Sequence, residues 1–178
     1  MLGTGNGSVR APSRVVVTGV GLLSPLGDDL GALHRGLASG ERAFAPVRAF
    51  DASGLGCQIA AEIADFDPER YLPGGNFRPL DRTGLLATAA ARRALDDAGF
   101  AAAPGPSADG VRPGLVLGTM FGSLHTISEF DRRALTEGVI YAKPMDFANS
   151  VINAAAGQTA IWHQLSGVNA TVSGGPAA

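Results

Sequence analysis

At 178 residues, with 46% hydrophobic and 17% charged side chains, the chain has the length and composition of one globular domain, and folding at that size buries roughly 70% of the unfolded surface. A formal net charge of -2, from 14 basic and 16 acidic residues, leaves no concentrated basic surface for nucleic acid or an anionic membrane, and no apolar run is long enough to span a bilayer. The single cysteine, Cys57, excludes an internal disulfide and a cysteine-based metal site.

Residues 1–12 are Gly- and Ser-rich without a hydrophobic signal core, so they are expected to be a disordered lead-in to a cytoplasmic protein that folds from residue 13 to residue 178. Residues 14–18, Arg-Val-Val-Val-Thr, predict a strand buried on both faces. A turn with Gly19 and Gly21 follows, then a helix capped by Asp28 or Asp29, running to Ala38 and stopped by Gly40. Strand, Gly-x-Gly turn and helix invite a dinucleotide-binding reading. It fails here: Ser24 replaces the third glycine, Pro25 and Gly27 delay the helix, and no acid closes a second strand about 20 residues on.

Phe50-Asp-Ala-Ser53 signals a turn, and the alternation over residues 57–63 suits a short strand in which Cys57 packs as a small apolar residue rather than a nucleophile. An Ala-rich helix over residues 83–98, closed by Gly99, presents Ala87, Ala90, Ala91 and Ala94 as a smooth face for close approach. Asp96 and Asp97 oppose its dipole, so tertiary contacts must hold that end. Residues 101–109 read as a loop. Residues 113–118 predict a second buried strand, with residues 119–123 as its exit turn.

A helix from Ser123 or Leu124 to Glu137, capped by Gly138, is expected to turn Leu124, Ile127, Phe130 and Leu135 to the core and Glu129, Asp131, Arg132 and Arg133 to solvent. Arg92-Arg93 also reads as a solvated face. Residues 143–147 are expected to be extended, because proline restricts its predecessor. The last helix starts near Ser150 or Ile152 and ends at Leu165. A β-run over residues 169–173 then breaks into Gly174 and Gly175. The succession reads as α/β, a central sheet with helices on its faces.

The ordered motifs resemble the β-ketoacyl synthase, or condensing-enzyme, family. They are Val15-Val-Val-Thr-Gly-Val-Gly-Leu-Leu-Ser-Pro-Leu-Gly27, Phe50-Asp-Ala-Ser53, Gln58-Ile-Ala-Ala-Glu62, Leu80-Asp-Arg82, Ala94-Leu-Asp-Asp-Ala-Gly99, Gly118-Thr-Met-Phe-Gly122 and Asn153-Ala-Ala-Ala-Gly-Gln158, and together they cover nearly everything from Arg14 onward. The resemblance implies a thiolase-like layered α/β/α half-domain with a mixed central sheet. It implies decarboxylative Claisen condensation of acyl and malonyl thioesters in fatty acid or polyketide biosynthesis, with both groups carried on the phosphopantetheine arm of acyl carrier protein and no other cofactor or metal. It also implies a homodimer, or a heterodimer with an active ketosynthase.

The family's nucleophilic cysteine stands in a Thr-Ala-Cys type turn after the strand that matches residues 169–173. Gly174, Gly175 and Pro176 align with it, and residues 166–178 contain no cysteine, so no catalytic residue is assigned. The family's two histidines and lysine belong to its C-terminal half. His34 and His125 read instead as surface helix residues and His163 as a satisfied side chain on the last helix. Ser173 lacks the first glycine of a nucleophile elbow, since Thr171 stands there. Phe121, with Met120 beside it, matches the acyl-pocket gate, where bulk limits chain length, and it equally reads as a core residue below the strand end.

Three functions are compatible with these residues: a truncated synthase lacking condensing activity, a chain-length-factor-like partner of an active synthase, and a stand-alone binding module. A half-domain is expected to be poorly soluble or partner-dependent, because half of a shared core leaves apolar faces uncovered.

Overall fold

The computed structural model describes residues 14–100, 110 and 112–174. The lead-in over residues 1–12, the loop over residues 101–109, and Gly175 and Pro176 in the final turn lie outside the described residues. The elements are α1 (Leu30–Ser39), β1 (Ala45–Pro46), β2 (Ile59–Ala60), α2 (Pro68–Tyr71), α3 (Arg82–Asp97), β3 (Leu115–Gly118), α4 (Leu124–Thr136), a 3-10 turn (Val139–Tyr141), α5 (Pro144–Ala148), α6 (Ala154–Trp162) and β4 (Asn169–Val172).

The helix ends follow local chemistry. Asp29 caps α1, its carboxylate accepting from the Ala32 N–H at 2.8 Å, and Gly40 ends the helix in the left-handed region. Asp81 caps α3 in the same way through the Gly84 N–H, 2.8 Å away. Residues 144–148 are helical where extended chain was expected. Lys143 is indeed extended (φ -76°, ψ 126°), but Pro144 occupies the first helical position, where its missing N–H is harmless and its fixed φ favours a helix start.

The centre of the molecule is the contact between α3 and α6. Ala89 of α3 and Ala154, Ala155, Ala156 and Ala160 of α6 are buried there, so the two helices meet through side chains of one methyl. Two buried threonines, Thr88 and Thr159, share a hydrogen bond of 3.0 Å across it. His163, just past α6 and 1% exposed, places Nε2 2.9 Å from the Thr88 carbonyl. It is the satisfied histidine expected, while His34 and His125 are exposed.

The Ala face of α3 also explains the Gly-x-Gly turn. A Cβ on Gly21 would collide with the Ala90 carbonyl and the Ala94 nitrogen, and one on Gly19 with Ala94 and Ala98. These glycines serve backbone approach to a helix rather than to a pyrophosphate. Asp97 completes the joint, its carboxylate accepting from the Val20 N–H at 2.9 Å, and Asp96 pairs with Arg92 at 2.6 Å. Of the two acids at the wrong end of α3, Asp97 is thus held by a tertiary partner and Asp96 by Arg92 of the same helix.

Pairing is sparser than expected. Among the described residues β1 pairs with β2 antiparallel, and β3 with β4 parallel in the register Leu115 to Asn169 and Gly118 to Val172. Residues 14–18 form no ladder, and Val15, Val16 and Val17 are 94%, 73% and 82% exposed. The β-branched run encodes an extended strand, but with no described strand alongside it has neither a ladder nor a cover. β3 is likewise half-exposed rather than buried.

Four further expectations are corrected. On α4, Leu124 and Leu135 are exposed, and Phe130 finds its partner in Phe147, ring centroids 5.8 Å apart. Arg92 is not a solvated residue. Its side chain is 11% exposed, and Nε and Nη1 are buried without a hydrogen-bond partner. Cys57 is exposed, since the strand expected around it shrinks to Ile59–Ala60. The last helix is shorter at both ends than residues 150–165.

Candidate acyl site at the strand ends

Parallel pairing fixes where the candidate site lies. Because β3 and β4 run in the same direction, with Gly118 opposite Val172, their exit turns emerge side by side at one edge. Carboxyl ends of parallel strands are where open α/β sheets bind ligands. The ladder continues one residue past β3, the Thr119 N–H donating to the Val172 carbonyl at 3.0 Å. The register therefore carries Met120 and Phe121 out at the same edge as Ser173 and Gly174.

Phe121 is 63% exposed and Met120 45%, so neither is a core residue below the strand end. The backbone beneath them is tied down. The Gly122 N–H donates to Thr119 Oγ1 at 3.0 Å, and the Gly122 carbonyl accepts from Thr83 Oγ1 of α3 at 3.1 Å. Gly122 has φ +56°, and a Cβ there would press on Ile152. Ser123, at the N-cap of α4, is buried with its hydroxyl unpartnered.

Asp81 serves two helices. One carboxylate oxygen caps α3, and the other accepts from Thr126 Oγ1 in the first turn of α4 at 3.2 Å. A single negative charge thus lies at the amino ends of two helices, where both dipoles favour it. Buried Asn149 adds a third tie, donating to the Pro79 carbonyl at 2.8 Å. None of Asp81, Thr83, Thr119 and Asn149 is singled out by the sequence. Asp81 carries a legible signal as an N-cap residue before a helix, whereas a threonine inside a helical run carries none.

The strongest local electrostatics lie elsewhere. Asp28 accepts a 2.7 Å hydrogen bond from the Tyr71 hydroxyl and pairs with Arg70 at 3.0 Å and Arg93 at 3.7 Å. The tyrosine bond, more than the two guanidiniums, holds its carboxyl below the usual value of 3.8 against a smaller opposing effect of burial. Burial and the same bond raise the Tyr71 phenol above 10. The group joins the start of α1 to α2 and α3 and touches neither strand end.

A model of the β-ketoacyl synthase N-terminal domain matches residues 12–177. The chain belongs to the β-ketoacyl synthase family. It is 33% identical over 159 residues to 3-oxoacyl-[acyl-carrier-protein] synthase 2 of Coxiella burnetii, covering 89% of this chain and 38% of that protein. It is 32% identical over 148 residues to Nodulation protein E of Rhizobium sp. strain N33, covering 83% and 36%. Among solved structures, the ishigamide ketosynthase/chain length factor superposes with a TM-score of 0.75 at 29% identity, covering 89% of this chain and 39% of that one. A Burkholderia phymatum β-ketoacyl synthase superposes at 0.71 with 22% identity, a likeness of fold. The fold is therefore the thiolase-like α/β fold of ketosynthases. The chain spans about two fifths of the length of the relatives it matches. No helix among the described residues is long and apolar enough to cross a membrane.

Proposed function

We propose that this chain provides the acyl-lining part of a condensing-enzyme subunit in fatty acid or polyketide assembly, and that it takes up no acyl group covalently. Substrates arrive as thioesters on the phosphopantetheine arm of acyl carrier protein, the carrier named in the curated relatives. The observation that carries the proposal is the β3–β4 register, which sets the exposed Met120–Phe121 turn against the exit of β4. A hydrophobic side chain there can limit how far an acyl chain extends. Position 176 is proline, and a proline ring offers no nucleophile for acyl transfer.

The test is incubation of the purified chain with hexanoyl-acyl carrier protein, followed by intact-mass spectrometry. No acyl adduct is expected on the Cys57→Ser variant, in which exchange onto the one exposed thiol is removed. An adduct of one hexanoyl group on that variant would overturn the proposal.

A second reading, a non-acylated partner that shapes the product cavity of an active synthase, is favoured by the likeness to the ketosynthase/chain length factor. Co-expression with a ketosynthase subunit is expected to yield a stoichiometric heterodimer in size-exclusion chromatography. Separate elution of the two chains would remove this reading.

A further inference from the structure

The Met120–Phe121 turn is held mostly from outside itself. Thr83 and Asp81, on the first turn of α3 and its cap, contact the chain just after the turn, at Gly122 and at Thr126 in the first turn of α4. Phe121 lies directly before Gly122, and the carbonyl that Thr83 grips belongs to the next peptide, Gly122–Ser123, so the bond steadies the backbone one residue beyond the ring. Gly122 is the residue at which this grip matters. With φ at +56° and no side chain, its carbonyl can reorient at little steric cost, whereas its N–H is bound to Thr119 Oγ1. Of the two polar groups of Gly122, one is thus fixed from within the turn and the other only by a hydroxyl 39 residues away in sequence.

We infer that Thr83 is a positioning residue for acyl-chain length: its hydroxyl, donating to the Gly122 carbonyl, fixes the stance of Phe121, with Asp81 holding the adjoining start of α4. The inference rests on the proposed role of Phe121 as a gate, and it names the element that sets the gate. α3 runs from this turn to the buried contact with α6, so the gate is referenced to the best-packed part of the molecule. Acyl chains are the ligand class concerned. Thr83 touches the backbone of the turn, and it acts through Phe121.

The test uses the full chain as it purifies, alone or with a co-expressed ketosynthase subunit, carrying 4-fluorophenylalanine at position 121 only. Thr83→Val keeps the side-chain shape and removes the donor, and Thr83→Ser keeps the donor. In Thr83→Val the fluorine resonance is expected to shift or broaden, and the ratio of dissociation constants for hexanoyl- and decanoyl-pantetheine to change about tenfold, the scale of discrimination by an apolar pocket. Thr83→Ser is expected to restore both. An unchanged fluorine signal in Thr83→Val would overturn the inference, even if that variant melts at a lower temperature. A moved signal with an unchanged binding ratio would overturn the part that concerns chain length. A Phe121→Ala chain with an unaltered ratio would instead sink the gate reading, leaving the Thr83 contact to be judged by the fluorine signal alone.

Discussion

The α3–α6 contact and the β3–β4 ladder are neighbours with opposite finish. The first pairs buried alanines with a threonine–threonine bond and a histidine on a carbonyl, so its polar atoms find partners inside the contact. The second has two strands of four residues, with Val116, Val168 and Val172 exposed around it. Parallel strands are ordinarily covered on both faces. The difference separates a contact satisfied among the described residues from a ladder whose faces they leave uncovered, and the candidate site falls on the less finished side.

The comparison can be broken most severely at Gly21. Gly21→Ala sets a methyl against backbone atoms of α3 that cannot yield, and a loss of about 3 kcal/mol is expected, read as a lower urea midpoint. His163→Ala is expected to cost about 2 kcal/mol, through the cavity left and the loss of the second hydrogen bond on the Thr88 carbonyl. An undiminished urea midpoint in His163→Ala would show that the α3–α6 contact is not the stabilising centre.

A smaller effect is expected at the Asp28 group, outside both regions. Tyr71→Phe should cost about 1 kcal/mol at pH 7. Because the folded carboxyl of Asp28 lies below 3.8, its contribution is present above that value and fades as pH falls through the folded value. The gap between wild type and Tyr71→Phe should therefore close in acid, and urea titrations at pH 7 and pH 2.5 check it. At the ladder Thr171→Val, and at the start of α4 Ser123→Ala, each remove a buried hydroxyl without a partner, so both are expected to be neutral or stabilising by up to about 1 kcal/mol. A loss at Thr171 would mean that its hydroxyl is satisfied in solution and that the ladder is better finished than the described contacts show.

What the sequence made legible divides along the same line. Helices α1 and α3 lie within a residue or two of their expected bounds, because caps and left-handed stops are local signals at Asp29, Gly40 and Asp81. The tertiary partner of Asp97 was implied by its unfavourable place at the end of α3, whereas Asp96 pairs within the helix. Sheet pairing was not legible, since a run such as Val15–Val17 encodes extension but not the strand beside it. Burial failed with it: Leu124, Leu135 and Arg92 sit where periodicity or charge alone gives the wrong side. For the candidate site, the motif order drew attention to Phe121, which the structure places exposed at the β3 exit, while the Thr83 and Asp81 contacts join segments far apart in sequence and leave no local trace.

The joint between the Gly19–Gly21 turn and α3 has a kinetic side. Its anchoring hydrogen bond, from the Val20 N–H to Asp97, spans 77 residues, and the groove it enters exists only once α3 is helical. Contacts of such separation close late, after local helices have formed, and an exposed backbone hydrogen bond such as this one opens locally with ease. The amide of Val20 should thus exchange with solvent well before the interior amides of α3.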